Sequence, residues 1–143
     1  MRFLFVLALL LPIVAFAQQP SPIGQWRTID DHSGQPRSVV EVYANPDGSL
    51  SARIVRLLDL AKGANPTCDA CRGARHGQPV VGMVIAWGLR RDGEAWSGGR
   101  ILDPDNGKEY SVKLTPGADG RTLEVRGYIG MPMLGRTQVW HRD

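Results

Sequence analysis

Clusters of turn-forming residues recur so closely along this chain that few helices of ordinary length fit between them. The segments 31–36, Asn45-Pro46-Asp47-Gly48, Arg91-Asp92-Gly93, Pro104-Asp105-Asn106-Gly107, 116–120 and 130–135 each combine Gly, Pro, Asn or Asp. These residues preset or tolerate the backbone angles of tight turns. Between them, Tyr110, Val112 and Leu114 alternate with Ser111 and Lys113, and Leu123 and Val125 with Thr122, Glu124 and Arg126. A two-residue period belongs to a strand with one dry and one wet face. Leu50, Ala52 and Ile54 alternate in the same way directly after the Asn-Pro-Asp-Gly turn, which pairs them with 38–43 as a hairpin. The run 80–89 is nearly all apolar, as a strand buried on both faces is, and Gly82 and Gly88 argue against a helix there. Ile54, Leu57, Leu58 and Ala61 also fit one helical face, so the strand is expected to give way to a helical turn near Leu57.

The candidate strands are 24–28, 38–44, 49–57, 80–89, 94–101, 109–114, 122–128 and 136–142. Eight antiparallel strands in one domain can close into an up-and-down barrel, which removes the sticky edges of an open sheet. The expected fold is therefore all-β, an eight-stranded antiparallel up-and-down barrel, with a sandwich as its rival. Its expected interior, and so its expected ligand-binding surface, comprises Val40, Val42, Ile54, Met83, Ile85, Trp87, Tyr110, Val112 and Val125. Trp87 and Trp96 flank one hairpin, where they either line a cavity or serve as ordinary core.

The chain begins with one charge, Arg2, then an apolar run over 3–14, and closes this stretch on Ala15-Phe16-Ala17. That is the layout of a secretory signal peptide, 1–17, cut after Ala17. Membrane spans need ~20 apolar residues, and this run is shorter and followed by Gln18, Gln19, Pro20 and Pro22, so no stable membrane anchor is expected. The first cysteine is Cys68, so none lies near the cut to accept a lipid. Removing 17 residues from 143 leaves 126, residues 18–143, which suits a single domain. A periplasmic or secreted location follows. The formal charge of +3 is spread among acids such as Asp92, Glu94, Asp103 and Glu109, without the basic stripe that nucleic-acid binding requires.

Gly24-Gln25-Trp26 opens the first strand, and the last carries Arg136, Trp140 and Arg142. Gly permits close approach and a large indole can plug a barrel end. An arginine stacked on that indole, either Arg136 or Arg142, would join the first and last strands. Trp26 as a plain core aromatic is the alternative.

Together with the run Gly98-Gly99-Arg100-Ile101-Leu102-Asp103-Pro104-Asp105-Asn106-Gly107-Lys108-Glu109-Tyr110, and with Arg126-Gly127-Tyr128-Ile129-Gly130 and Leu134-Gly135-Arg136-Thr137-Gln138-Val139-Trp140 downstream, these residues give a family resemblance. The chain resembles the exported bacterial family named domain of unknown function 2147, over essentially its whole length after the leader. That resemblance implies a secreted or periplasmic, lipocalin-type β-barrel and carries over no catalytic residue.

Cys68-Asp69-Ala70-Cys71 lies in the longest expected loop, 58–79, and structureless loops of this length are often functional. In an oxidising compartment such a pair can form a stiffening disulfide. A redox role would need a stabilised thiolate; Arg72 and Arg75 could help, but Gly73, Gly77 and Pro79 disfavour a following helix. Zinc on Cys68, Cys71 and His76 lacks a fourth ligand: the compact knuckle would want a cysteine where the chain has Val81, and His32 and His141 are remote. The acidic run at Asp103 places Lys108 sixth and Leu114 twelfth, against the Gly and carboxylate of a calcium loop, so it reads as a hairpin turn. No Ser occupies a strand-to-helix elbow and nothing selects a carboxylate pair, so neither catalysis, a metal nor a cofactor is expected. Three functions stay open: a carrier of a small hydrophobic ligand with the long loop as lid, a thiol-disulfide protein using Cys68 and Cys71, and an envelope module with a filled barrel that binds a protein or peptidoglycan.

Overall fold

The computed structural model describes residues 9–16 and 18–142. Within the expected leader, 9–16 are exposed and without regular secondary structure, while 1–8 and Ala17, with the expected cut, lie outside the described residues.

The turn clusters divide the chain into β1 (Gly24–Ile29), β2 (Pro36–Ala44), β3 (Leu50–Leu57), β4 (Val84–Asp92), β5 (Ala95–Asp103), β6 (Lys108–Pro116), β7 (Thr122–Tyr128) and β8 (Gly135–His141). Each pairs antiparallel with the next, and β1 meets β8 at Arg27 and His141, so the sheet closes as a barrel. The expected barrel, not the sandwich, is thus the architecture. Alternation sets what faces in: Trp26 stands across from Val40, Val42 across from Ala52, and Leu114 across from Val125, all buried.

The expected helical turn near Leu57 does not form; β3 runs to Leu57, and among the described residues the one helical piece is a 3-10 turn, Gly73–Arg75. The apolar run 80–89 is also not one strand. Gly82 has φ +88°, and Met83 N donates to Val80 O at 3.2 Å, making a turn before β4 begins at Val84. Farther on, Gly88 at φ +72° accompanies a shift of register between Ala52↔Ala86 and Leu50↔Leu89. Such a bulge resets which residues face inward.

Up-and-down order puts the β1–β2, β3–β4, β5–β6 and β7–β8 connections at one end and both termini of the barrel at the other. At the latter end Trp26 is the plug, 1 % exposed, with Nε1 donating to Pro22 O at 2.8 Å. Arg142 lies over its ring at 4.1 Å and donates to Ser21 O and Ile23 O at 2.9 and 3.1 Å. Gly24 is required beneath it: its φ is +127°, and a Cβ there would come within 2.6 Å of Arg142 Nη1. Of the two candidate arginines, Arg142 makes this closure. Arg136 sits at the opposite end, paired with Asp31 at 2.8 Å.

Candidate functional site: a cavity at the open end

The tube is solid near Trp26 and hollow toward the other end. Val40, Val42 and Val112 are completely buried and fill its closed half, without bordering the hollow. Above them opens a cavity of about 660 Å³, a size that suits a small organic ligand. Its lining is mixed, with apolar Ile54, Ile85, Ile101, Leu102 and Val125, the rings of Tyr110 and Trp140, and polar or charged residues such as Thr28, Ser38, Arg37 and Asp105. Several of its polar groups bond to one another. Trp140 Nε1 donates to Gln138 Oε1 at 3.1 Å, and Thr28 and Ser38 hydroxyls share a buried 2.7 Å hydrogen bond. These polar atoms already have partners.

Of the nine expected interior residues, Ile54, Ile85, Tyr110 and Val125 border the cavity. Met83 does not; it is buried in the turn before β4, where its carbonyl accepts from Ile54 N at 3.0 Å. Trp87 is half-buried, pairs across strands with exposed Arg100, and carries the Arg75 guanidinium 4.4 Å from its ring centre, so it belongs to the outer surface. Trp96 also stays out of the wall. Trp140, expected at the closure, is instead part of the cavity. Thr28, Ser38, Ile101, Leu102 and Gln138 are among the wall residues that sequence reasoning missed; the inward positions of β8, 138 and 140, were legible only as one side of a period-two run.

A ring of charges surrounds the mouth. Arg37 bridges Asp30 at 3.5 Å and Asp105, Lys62 reaches Asp105 at 3.8 Å, and Arg136 holds Asp31. Together they link the β1–β2 turn, the long β3–β4 loop, the β5–β6 turn and the start of β8. Asp30 is held below the ordinary carboxylate range by the backbone N–H groups of Ser33 and His32, with help from Arg37. Burial in the rim works against the charge on Arg37, yet the hydrogen bond and charge of Asp105 outweigh it and raise its pKa.

The β3–β4 loop reaches over this mouth with Asp59, Lys62, Pro66, Thr67 and Val80. Its fold is fixed by a Cys68–Cys71 disulfide, both residues buried within the apolar cluster. Cys68 Sγ lies 3.4 Å from Pro104 O, and the Ala70 carbonyl is so close to Gly107 that a Cβ there would overlap it. His76 Nδ1 faces Cys71 O at 3.0 Å. The zinc set Cys68, Cys71 and His76 is thereby committed to other bonds, and among the described residues no cluster of His, Cys, Asp or Glu could hold a metal ion.

A family model described as "uncharacterized protein conserved in bacteria" matches residues 24–142, from the glycine under Arg142 to Arg142 itself. The chain belongs to this family, DUF2147. Among solved structures, the DUF2147 barrel is similar to protein HP1028 of Helicobacter pylori, described as belonging to the lipocalin family. The TM-score is 0.73 at 20 % identity, over 90 % of this chain and 84 % of that one. At that identity the likeness concerns the fold, which is lipocalin-like. Comparison with curated proteins finds no match.

Proposed function

We propose that this DUF2147 protein is an exported binding protein that holds one small, mainly hydrophobic molecule in the open half of its barrel and does no chemistry on it. The observation that carries this reading is the contrast between the two halves. Close packing is the rule inside proteins, and the closed half obeys it, whereas the other keeps about 660 Å³ open behind a charged rim. The apolar side chains of the wall favour a ligand that buries apolar surface of its own. The lipocalin-like fold agrees, since eight-stranded barrels of this kind can hold a single small ligand. The loop carrying Cys68 and Cys71 serves as a stiffened lid, and its buried disulfide favours a structural over a redox role.

Export rests on the leader-like start, Arg2 with the apolar run and Ala15-Phe16-Ala17. The working compartment is then the periplasm or beyond it. Native mass spectrometry of protein recovered gently from an exporting host tests both parts. The expected polypeptide begins at Gln18 and carries one extra small species that heat or organic solvent removes. A chain still bearing residues 1–17 overturns export, and a mass equal to the bare polypeptide in every preparation counts against carriage.

A further inference from the structure

A second hollow lies beside the rim, between the 3-10 turn of the long loop, the β5–β6 turn and the start of β6. Its lining includes three cations, Arg72, Arg75 and Lys108, and one acid, Glu109. That acid is already shared, since its carboxylate lies 3.4 Å from the Arg75 guanidinium and 3.9 Å from that of Arg100. Arg72 and Lys108 have no ion-pair partner among the described residues. A chain with a formal charge of only +3 thus gathers an excess of positive charge in one concave place. Like charges held together repel, and an anion entering between them relieves that repulsion.

The three cations stand on fixed backbone. Arg72 directly follows the Cys68–Cys71 disulfide, and the loop there is wedged against the β5–β6 turn, where the Ala70 carbonyl leaves no room for a side chain at Gly107. In that same turn Lys108 N donates to Asn106 Oδ1 at 2.8 Å. Arg75 is held by Glu109 and by its stack on Trp87. A frame ordered in advance lowers the entropic cost of capturing a ligand. The hollow also adjoins the barrel cavity: Leu102, Tyr110 and Ile129 border both. Ile129 is 67 % exposed, and an apolar chain running from one hollow to the other would cover it. The acids of the mouth are already engaged. Asp30, Asp31 and Asp105 each hold a cation, and Asp59 and Asp103 accept from the backbone N–H groups of Ala61 and Asp105.

We propose that the ligand of this barrel is an amphiphile whose alkyl chain lies in the cavity and whose phosphate head lies among Arg72, Arg75 and Lys108. Guanidinium groups offer planar forks of donors that match phosphate oxygens, and the ammonium adds a third positive charge. Three cations suit a dianionic phosphate better than a monoanionic carboxylate. The inference rests on the binding reading, of which it names the ligand class.

The test titrates delipidated protein with decyl phosphate, decanol, decylammonium and inorganic phosphate, at about pH 8, where a phosphate monoester is a dianion. Displacement of a neutral naphthylamine probe and the change in melting temperature are read for each. Wild type should bind decyl phosphate at least ten-fold more tightly than decanol, and the preference should shrink in about 0.5 M salt. The double variant R72Q/K108Q, altered at two exposed positions, should keep its circular dichroism and its decanol affinity and lose most of that preference. Equal affinity of wild type for the two compounds, tighter binding of decylammonium, or a preference that survives in the variant overturns the proposal and leaves the cavity reading standing. A melting temperature raised by inorganic phosphate in wild type alone, without any preference for decyl phosphate over decanol, overturns it in favour of a free-phosphate site. Displacement of the probe by none of the alkyl compounds overturns the cavity reading, and the proposal with it.

Discussion

At the scale of single residues, the closed end depends on three groups that need one another. Arg142 covers the Trp26 ring and ties its guanidinium to two carbonyls ahead of β1, and Gly24 leaves it room. Replacing Arg142 with Ala removes a cation–π contact and two charge-assisted hydrogen bonds, and should lower stability by about 1–2 kcal/mol. Gly24→Ala should cost at least as much, because it meets both an unfavourable φ and the guanidinium. Denaturant melts check this: a midpoint unchanged in both variants would show that the plug is incidental. Gly24, Trp26 and a stacking arginine were legible in the sequence, but the choice of arginine was not. Arg136 and Arg142 both flank Trp140, yet six strand residues span roughly 20 Å, so the two lie at opposite ends of the tube. Which arginine meets Trp26 depends on how β8 closes on β1, at Arg27 and His141.

At the scale of elements, the strands were largely legible because turn residues bound them and alternation fills them. β4 is the instructive exception. Its apolar run conceals a turn at Gly82, where Met83 is buried without bordering the cavity, and a bulge at Gly88, beside which Trp87 faces outward against a simple period of two. Glycine signals a local departure from strand geometry, but only the neighbouring strands decide its form. The β3–β4 loop poses a different question, since its disulfide closes only a short ring. The loop-entropy relation gives such a ring about 2 kcal/mol. Replacing Cys68 and Cys71 together with Ala should therefore lower stability by about that much, leave the barrel's circular dichroism intact, and speed amide exchange selectively in 58–83. Uniformly faster exchange over all strands would mean instead that the disulfide holds the barrel itself.

At the scale of the whole molecule, the sequence indicated which side chains point inward but not how far along the tube each sits, and the cavity is set by depth. Val40 and Val112 appear equivalent to Ile54 and Val125 in a one-dimensional pattern. In space Val40 stands directly across from Trp26, while Gly127, which borders the hollow, contributes no side chain to fill it. The charged rim was invisible for the same reason, as its partners come from separate turns. It makes a pH prediction. Asp30 in the rim, and Asp47 in the β2–β3 turn at the other end beside Ser49 and Arg90, have folded pKa values below their ordinary 3.8, so their stabilisation is complete above that value and is lost as pH falls through the depressed one. Melting temperature should hold nearly level from neutrality to about pH 5 and fall below about pH 4, less steeply in Asp30→Asn; an identical acid slope in that variant would remove Asp30 from the account. The central claim, that the open half of this barrel is a chamber for one small ligand, is tested most directly by titrating the delipidated protein with a neutral naphthylamine probe. Wild type and Val139→Trp, altered on the outer surface, should each bind one equivalent, and Ile101→Trp, altered in the wall, should bind at least ten-fold more weakly. Equal binding by all three, or none by wild type, would contradict it.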